Sequence, residues 1–153
     1  MIKFMQGDMF KTGCVAVINP CNCVGVGGKG ISLYLKNRAP ANFAFYKDVC
    51  KRKQMYPGKC LVSSTTELSP SIEYIINFPT KNDWRDPSNI DYIREGVANL
   101  VRTMKDFGIE SVAVPMLGCG CGGLKWDDVK PAIIEVLNYQ GHDGLLFEIY
   151  EQN

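Results

Sequence analysis

Two glycine-dense stretches constrain this chain most, because each lies between an apolar, β-branched run and a helical pattern. The first, Asn19-Pro20-Cys21-Asn22-Cys23-Val24-Gly25-Val26-Gly27-Gly28-Lys29-Gly30, follows a run over residues 15–18. The second, Leu117-Gly118-Cys119-Gly120-Cys121-Gly122-Gly123-Leu124-Lys125-Trp126, follows a run over 111–115. Residues 2–5, 61–65, 74–78 and 145–150 carry the same strand signature. Helical periodicity fills the gaps. Ser88 can cap a helix in which Ile93, Val97, Leu100, Val101, Met104 and Phe107 recur at three- and four-residue steps, with Gly108 as its stop. Another helix starts near Asp127 and buries Ile133, Ile134 and Leu137, and residues 31–38 and 42–51 read as two more. Strands alternating with helices predict an α/β sheet covered on both faces. In such sheets ligands sit beyond the carboxyl ends of the strands, where both glycine stretches fall.

A chain of 153 residues fits one domain, 1–153. Its formal net charge of +1 argues against a long electrostatic track for a nucleic-acid backbone, while leaving room for one or two phosphates. There are seven cysteines, an odd number without the spacing of a secreted framework. No charged-then-apolar leader opens the sequence, and no apolar run approaches the ~20 residues needed to span a bilayer. Reduced thiols, a cytoplasmic setting, no membrane partner and a monomer are the resulting expectations.

Four glycines among residues 25–30 let backbone approach a ligand and turn N–H groups toward phosphate oxygens. Neither a Walker A pattern nor a Rossmann fingerprint is present. If the strands before the two stretches are neighbours, the stretches form opposite walls of one cleft. A diphosphate held there by backbone donors needs little net positive charge. A third segment, Ile76-Asn77-Phe78-Pro79-Thr80-Lys81-Asn82-Asp83-Trp84-Arg85, places Lys81 at a strand end. A free lysine has a pKa of ~10.4, so it serves as nucleophile or base only where its surroundings lower that value, and otherwise as a cation or acid.

Together these segments resemble the macrodomain family. Gly7-Asp8-Met9 is similar to its Gly-Asp-hydrophobic element, Asn22-Cys23-Val24-Gly25 with Gly27 to Ile31 to its first phosphate loop, and Gly118-Cys119-Gly120 with Gly123-Leu124 and Trp126 to its second. Asn77-Phe78-Pro79-Thr80-Lys81, followed by Trp84-Arg85, resembles the branch containing DarG antitoxin macrodomains and the human terminal ADP-ribose glycohydrolase. The likeness runs from the first strand to the last.

The resemblance implies a three-layer α-β-α fold on a mixed sheet of about six strands, and ADP-ribose as ligand. Carried over, the binding residues are Asp8 (toward the adenine) and Met9, then Asn22, Cys23, Val24, Gly27, Gly28, Lys29, Gly30 and Ile31 around distal ribose and diphosphate. Thr80, Pro115, Leu117, Gly118, Cys119, Gly120, Cys121, Gly122, Gly123 and Leu124 complete the set, with Lys81 as the catalytic residue. It also implies an ADP-ribosyl glycohydrolase acting on ADP-ribosylated thymidine in single-stranded DNA, with Trp84 and Arg85 available to a base and a phosphate. The human relative pairs its lysine with an aspartate whose position is Gly122 here; DarG-type domains also lack that acid, which favours the DNA-directed reading. Full DarG antitoxins carry a further toxin-binding domain, so neutralisation by direct binding is not expected of these residues. No cofactor is implied. A reader that binds without cleaving, and a hydrolase of the 1″-phosphate, O-acetyl or carboxylate-linked forms, use the same pocket and remain as alternatives.

Two other chemistries are weighed on the residues alone. Cys21, Cys23, Cys119 and Cys121 form two Cys-x-Cys pairs, which four-thiolate zinc would need brought together, at a spacing tighter than usual. No metal is expected. A cysteine nucleophile needs a base, and the single histidine, His142, falls in a Gly-His-Asp-Gly turn. Cys14, Cys50 and Cys60 read as ordinary buried thiols.

Overall fold

The computed structural model describes residues 1–152. Six strands, β1 (Ile2–Met5), β2 (Ala16–Cys21), β3 (Leu61–Ser64), β4 (Tyr74–Pro79), β5 (Ser111–Val114) and β6 (Leu146–Tyr150), form one sheet. Their order is β1-β6-β5-β2-β4-β3, with β3 antiparallel to β4 and every other pair parallel. The four helices are α1 (Gly30–Arg38), α2 (Pro40–Lys51), α3 (Ile90–Phe107) and α4 (Trp126–Gln140).

The period-2 alternation of the strands separates the two faces. Ala16, Ile18, Ile76, Phe78, Val112 and Val114 point into one cluster with Ile93, Val97, Leu100, Met104, Ile133 and Leu137 of α3 and α4. Val17, Ile75 and Ala113 point the other way, toward Leu35 and Ala39, while Tyr46, Val49 and Cys50 of α2 pack with Cys21 and Leu61. The expected three-layer α/β architecture with a mixed six-stranded sheet is therefore observed. No helix among the described residues is long and apolar enough to cross a membrane.

Several local expectations are corrected. Ser88 is not the cap of α3: Asn89 is, its side chain accepting from the Asp91 amide, while Ser88 is buried and drawn under the second glycine loop. Phe107, assigned to the buried stripe, is 54% exposed: burial along α3 ends at Met104, one turn before Gly108 stops the helix at φ +67. Ile134 is half-buried, not core, and α4 begins at Trp126. A short 3-10 turn, Met9–Lys11, follows β1 where no element was expected. β2 runs on through Asn19, Pro20 and Cys21, and β4 includes Pro79, so the loops proper begin one turn later than the glycine pattern suggests.

Candidate functional site

All three loops flagged in the sequence leave the carboxyl ends of adjacent parallel strands, in the spatial order β5, β2, β4. The cleft between the first two has a local cause. β2 pairs with β4 over six residues, Ala16 to Cys21, but with β5 only at Ala16 and Val17. Beyond Val17 the two strands part, so the glycine loops face each other across a gap on the sheet edge. The Asp8 turn, two strands further along, ends at the same edge, since β1, β6 and β5 are parallel.

The first loop is held from within by Asn22. Its Oδ1 accepts from the amides of Val24 and Gly25 at 3.0 Å each, from Val26 at 3.3 Å and from the Tyr46 hydroxyl at 2.8 Å, while Nδ2 donates to the Val26 carbonyl at 2.8 Å. Asn22, expected at the distal ribose, is thus 5% exposed and organises the loop that surrounds it. Burial pushes the Tyr46 hydroxyl far above its ordinary pKa, so it remains a donor to Asn22. Val24, Gly28, Lys29 and Gly30 are exposed, and Lys29 precedes α1 as its N-cap without a side-chain cap bond.

Loop three is pinned to loop one by backbone: the Cys23 amide donates to the Asn82 carbonyl at 2.8 Å and the Thr80 amide to Cys21 at 2.9 Å. Lys81 lies between these bridges, half-buried, its Nζ 3.4 Å from the Trp84 carbonyl. Ser88 then ties loop three to loop two, donating from its amide to the Gly122 carbonyl at 2.9 Å and from its hydroxyl to Thr80 Oγ1 at 3.3 Å. Gly122 sits so close that a Cβ there would lie 2.1 Å from Ser88 Oγ and 2.4 Å from the Gly118 carbonyl oxygen. No side chain fits at 122 without moving backbone, which gives the missing acid a steric reason.

Not every expected contact residue faces the gap. Pro115, Leu117 and Thr80 are buried supports under the loops, and Met9 packs with Val17, Leu35 and Ile75. Asp8 is exposed; one carboxylate oxygen caps the 3-10 turn by accepting from the Phe10 amide at 2.9 Å. Cys119 and Leu124 are half-buried, and Gly120, Cys121 and Gly123 are exposed. Trp84 is 52% exposed with the Arg85 guanidinium 5.8 Å from its ring centre. That guanidinium is occupied: Arg85 Nε and Nη2 each donate to Asp83 at 2.9 Å, which holds the Asp83 carboxyl well below the usual range.

A buried amide network under the loops was not read as such in the sequence. Asn19 and Asn77 are register partners on β2 and β4, and Asn19 Nδ2 donates to Asn77 Oδ1 at 2.9 Å. Asn77 Nδ2 donates in turn to Asn42 Oδ1 at 2.8 Å and to the Leu61 carbonyl at 3.1 Å, and Ser63 caps Asn42 at 2.6 Å. Asn77 therefore joins β2, β3, β4 and α2. The signal available was an asparagine inside each of two apolar strands, which a buried strand tolerates only with partners. Asn77→Ala should lower unfolding free energy by about 2–4 kcal/mol, because it strands several buried polar groups at once. Chemical denaturation of the variant measures this.

The cysteine pairs are not brought together. Cys21 and Cys23 pack with Tyr46, Val49, Cys50 and Met55, whereas Cys119 lies against the other core cluster and Cys121 is exposed. Among the described residues no group of three His, Cys, Asp or Glu side chains is placed to hold a metal. Burial raises the thiols of Cys14 to about 11 and of Cys23 and Cys60 to about 12, with Cys21 and Cys50 also raised. Thiolate supplies the reactivity of a cysteine. Iodoacetamide at pH 8 should thus modify Cys121 first in the folded protein, with the buried thiols reacting only on unfolding; peptide mass spectrometry against time reads this directly. His142 bonds the amino terminus at 3.0 Å, beside the starts of β1 and β6 and so at the opposite edge from the loops.

Comparison with known proteins agrees with this geometry. The macro domain family model matches residues 18–133. A DNA ADP-ribosyl glycohydrolase of Mycobacterium tuberculosis is 45% identical over 88% of this chain and 38% of its own length. The chain spans about two-fifths of the length of the curated relatives most similar to it. The macrodomain of Mycobacterium tuberculosis DarG superposes with a TM-score of 0.91 at 40% identity, covering 100% of this chain and 99% of that one. Thermosipho africanus DarTG in complex with ADP-ribose gives 0.86 at 32% identity, over 97% of this chain and 41% of that one. Family match, superposition and the ordered motifs at one sheet edge agree: the chain belongs to the macrodomain family.

Proposed function

We propose that this chain binds ADP-ribose across the carboxyl ends of its parallel strands and hydrolyses the glycosidic bond joining it to thymidine in single-stranded DNA. The observation that carries the reading is the position of Lys81 just beyond the carboxyl end of β4, between two backbone bridges that pin its loop to the first glycine loop at the end of β2. Four strand spacings separate β1 from β4, about 19 Å. An extended ligand fits along that edge with its adenine by Asp8, its diphosphate between the glycine loops and its distal ribose by the first loop and Lys81. The N–H groups of both loops supply the anion contacts. Similarity to DarG macrodomains along nearly the whole chain supports the same substrate class.

The reaction breaks the bond at the anomeric carbon, adds water there and returns a proton to the thymine. Positive charge develops on the sugar as the bond breaks. Lys81 meets that step in one of two ways, attacking the carbon as a neutral amine or protonating the leaving side as a cation. Linkage preference rests on Gly122. A carboxylate-directed mechanism with an acid in the second loop has no room for that acid here, since the loop closes on Ser88.

Release of free ADP-ribose, followed chromatographically on three substrates side by side, tests the reading. Single-stranded DNA with ADP-ribosylated thymidine is expected to turn over, while a protein carrying carboxylate-linked ADP-ribose and ADP-ribose 1″-phosphate are not. Release from either of those and not from DNA would overturn it.

A further inference from the structure

Resting on the DNA-directed reading above, we propose that an open pocket behind the catalytic gap, carrying Lys51 and Lys53, seats the phosphodiester backbone flanking the modified thymidine. The pocket is ≈ 380 Å³ and is bounded by Cys23 and Val24 of the first loop, Asn82 of the third, and Lys51 and Lys53 at the end of α2. Single-ligand sites start at about 300 Å³, so the space suits one backbone unit and not a whole duplex. Its inner wall is the Cys23–Asn82 hydrogen bond, and Asn82 is the neighbour of Lys81. A strand leaving the anomeric carbon therefore crosses a single ridge, Val24 to Asn82, to enter it.

Two cations line this pocket, within a short basic stretch. Residues 47–53 hold four cations and one carboxylate, against a net +1 for the entire chain. Arg52 is paired with Asp48 and Arg85 with Asp83, whereas the Lys51 and Lys53 ammonium groups have no hydrogen-bond or ion-pair partner among the described residues. A short cluster of this kind is the one- or two-phosphate footprint that the composition allows.

Lys53 adds an independent observation. At φ +58 it is the one non-glycine in the left-handed region among the described residues. It closes α2, its amide donating to Cys50 at 2.9 Å and that of Gln54 to Val49 at 3.1 Å. Glycine is the relaxed occupant of such a position. A lysine standing against that preference points to use of the side chain. Attraction to the helix C-terminus is the plainer explanation, but Lys51 and Arg52 already supply it in the same turn.

Lys51→Ala/Lys53→Gly separates these accounts, assayed with an oligonucleotide carrying ADP-ribosylated thymidine and with the isolated ADP-ribosylated nucleoside, from 50 to 200 mM salt. On the oligonucleotide, KM should rise about tenfold at low salt and its dependence on log salt should flatten by about one unit, as loss of phosphate contacts requires. The nucleoside KM, the affinity for free ADP-ribose and kcat should match wild type, and Tm should hold or rise. An oligonucleotide KM and salt slope equal to those of wild type would overturn the inference while leaving the glycohydrolase reading intact. A wild-type protein that binds ADP-ribose yet releases none from DNA would overturn both.

Discussion

Lys81→Ala should lose on the order of 10²–10⁴-fold in kcat for ADP-ribose release while binding free ADP-ribose as tightly as wild type, the range expected for removing one positioned acid, base or nucleophile. The split follows from where the side chain stands. Lys81 is half-buried just beyond the end of β4, held only by a 3.4 Å contact to the Trp84 carbonyl. The proposed anion contacts come from the loop amides, and the loops are braced without it: Asn22 and Tyr46 hold the first, and the Cys23–Asn82 and Ser88–Gly122 bonds tie the three together. Removing the amine should leave that frame standing. Calorimetry with ADP-ribose and single-turnover release on modified DNA give the two halves of the result. A variant that turns over at the wild-type rate would take Lys81 out of the chemistry; one that loses affinity in proportion to rate would make it a binding residue.

The opposite pattern is expected of Gly122→Asp. Adding the acid that the carboxylate-directed relative uses should not create that activity here. The new Cβ would meet Ser88 Oγ and Cβ at 2.1 and 2.7 Å and the Gly118 carbonyl at 2.4 Å. Ser88 cannot simply turn away, because it is buried and its amide donates to the Gly122 carbonyl itself. The Gly118 carbonyl is likewise engaged, accepting from the Leu124 amide at 3.0 Å. The loop must therefore shift as a unit. A stability loss of about 1–3 kcal/mol follows from forced overpacking. ADP-ribose affinity should fall by at least about tenfold, equivalent to about 1.4 kcal/mol, as the amides leave their places. Gly120→Ala is the matched control, since nothing lies within 4 Å of a Cβ at that position. It should leave thermal stability near wild type. Equal stability of Gly122→Asp and Gly120→Ala would show that the second loop adapts freely and would remove the steric account of linkage preference.

The strands, the helices and the loops at one edge were legible because period-2 and period-3.6 patterns are strong where a face is buried. What was not legible depended on contacts distant in sequence. Ser88 has every local feature of a helix cap, yet the Gly122 carbonyl, far along the chain, claims its amide and moves the cap to Asn89. Phe107 continues a correct helical stripe one step past Met104, its last buried residue. Asn22 and Asn77 lie in motifs that resemble a ligand site, and the motif alone does not distinguish touching the ligand from holding the loop that does. Asn22 satisfies three amides of its own loop and the Tyr46 hydroxyl of α2, and Asn77 ties three strands to α2. The cleft has no signal in the sequence; only the pairing of β2 with β5 as far as Val17, with β5 ending at Val114, shows that the sheet opens there. The ion pair of Arg85 with Asp83, two residues back, was likewise not read from the sequence.

A structure of the wild-type protein with ADP-ribose bound is the most direct test of the site. The adenine should lie by Asp8, the diphosphate between the Gly25–Gly30 and Gly118–Gly123 loops, and the anomeric carbon within about 3–3.5 Å of Lys81 Nζ, or one water away, as a near-attack arrangement requires. Ligand seated in the groove between α3 and α4, or bound at the strand ends with its anomeric carbon turned away from Lys81, would contradict it.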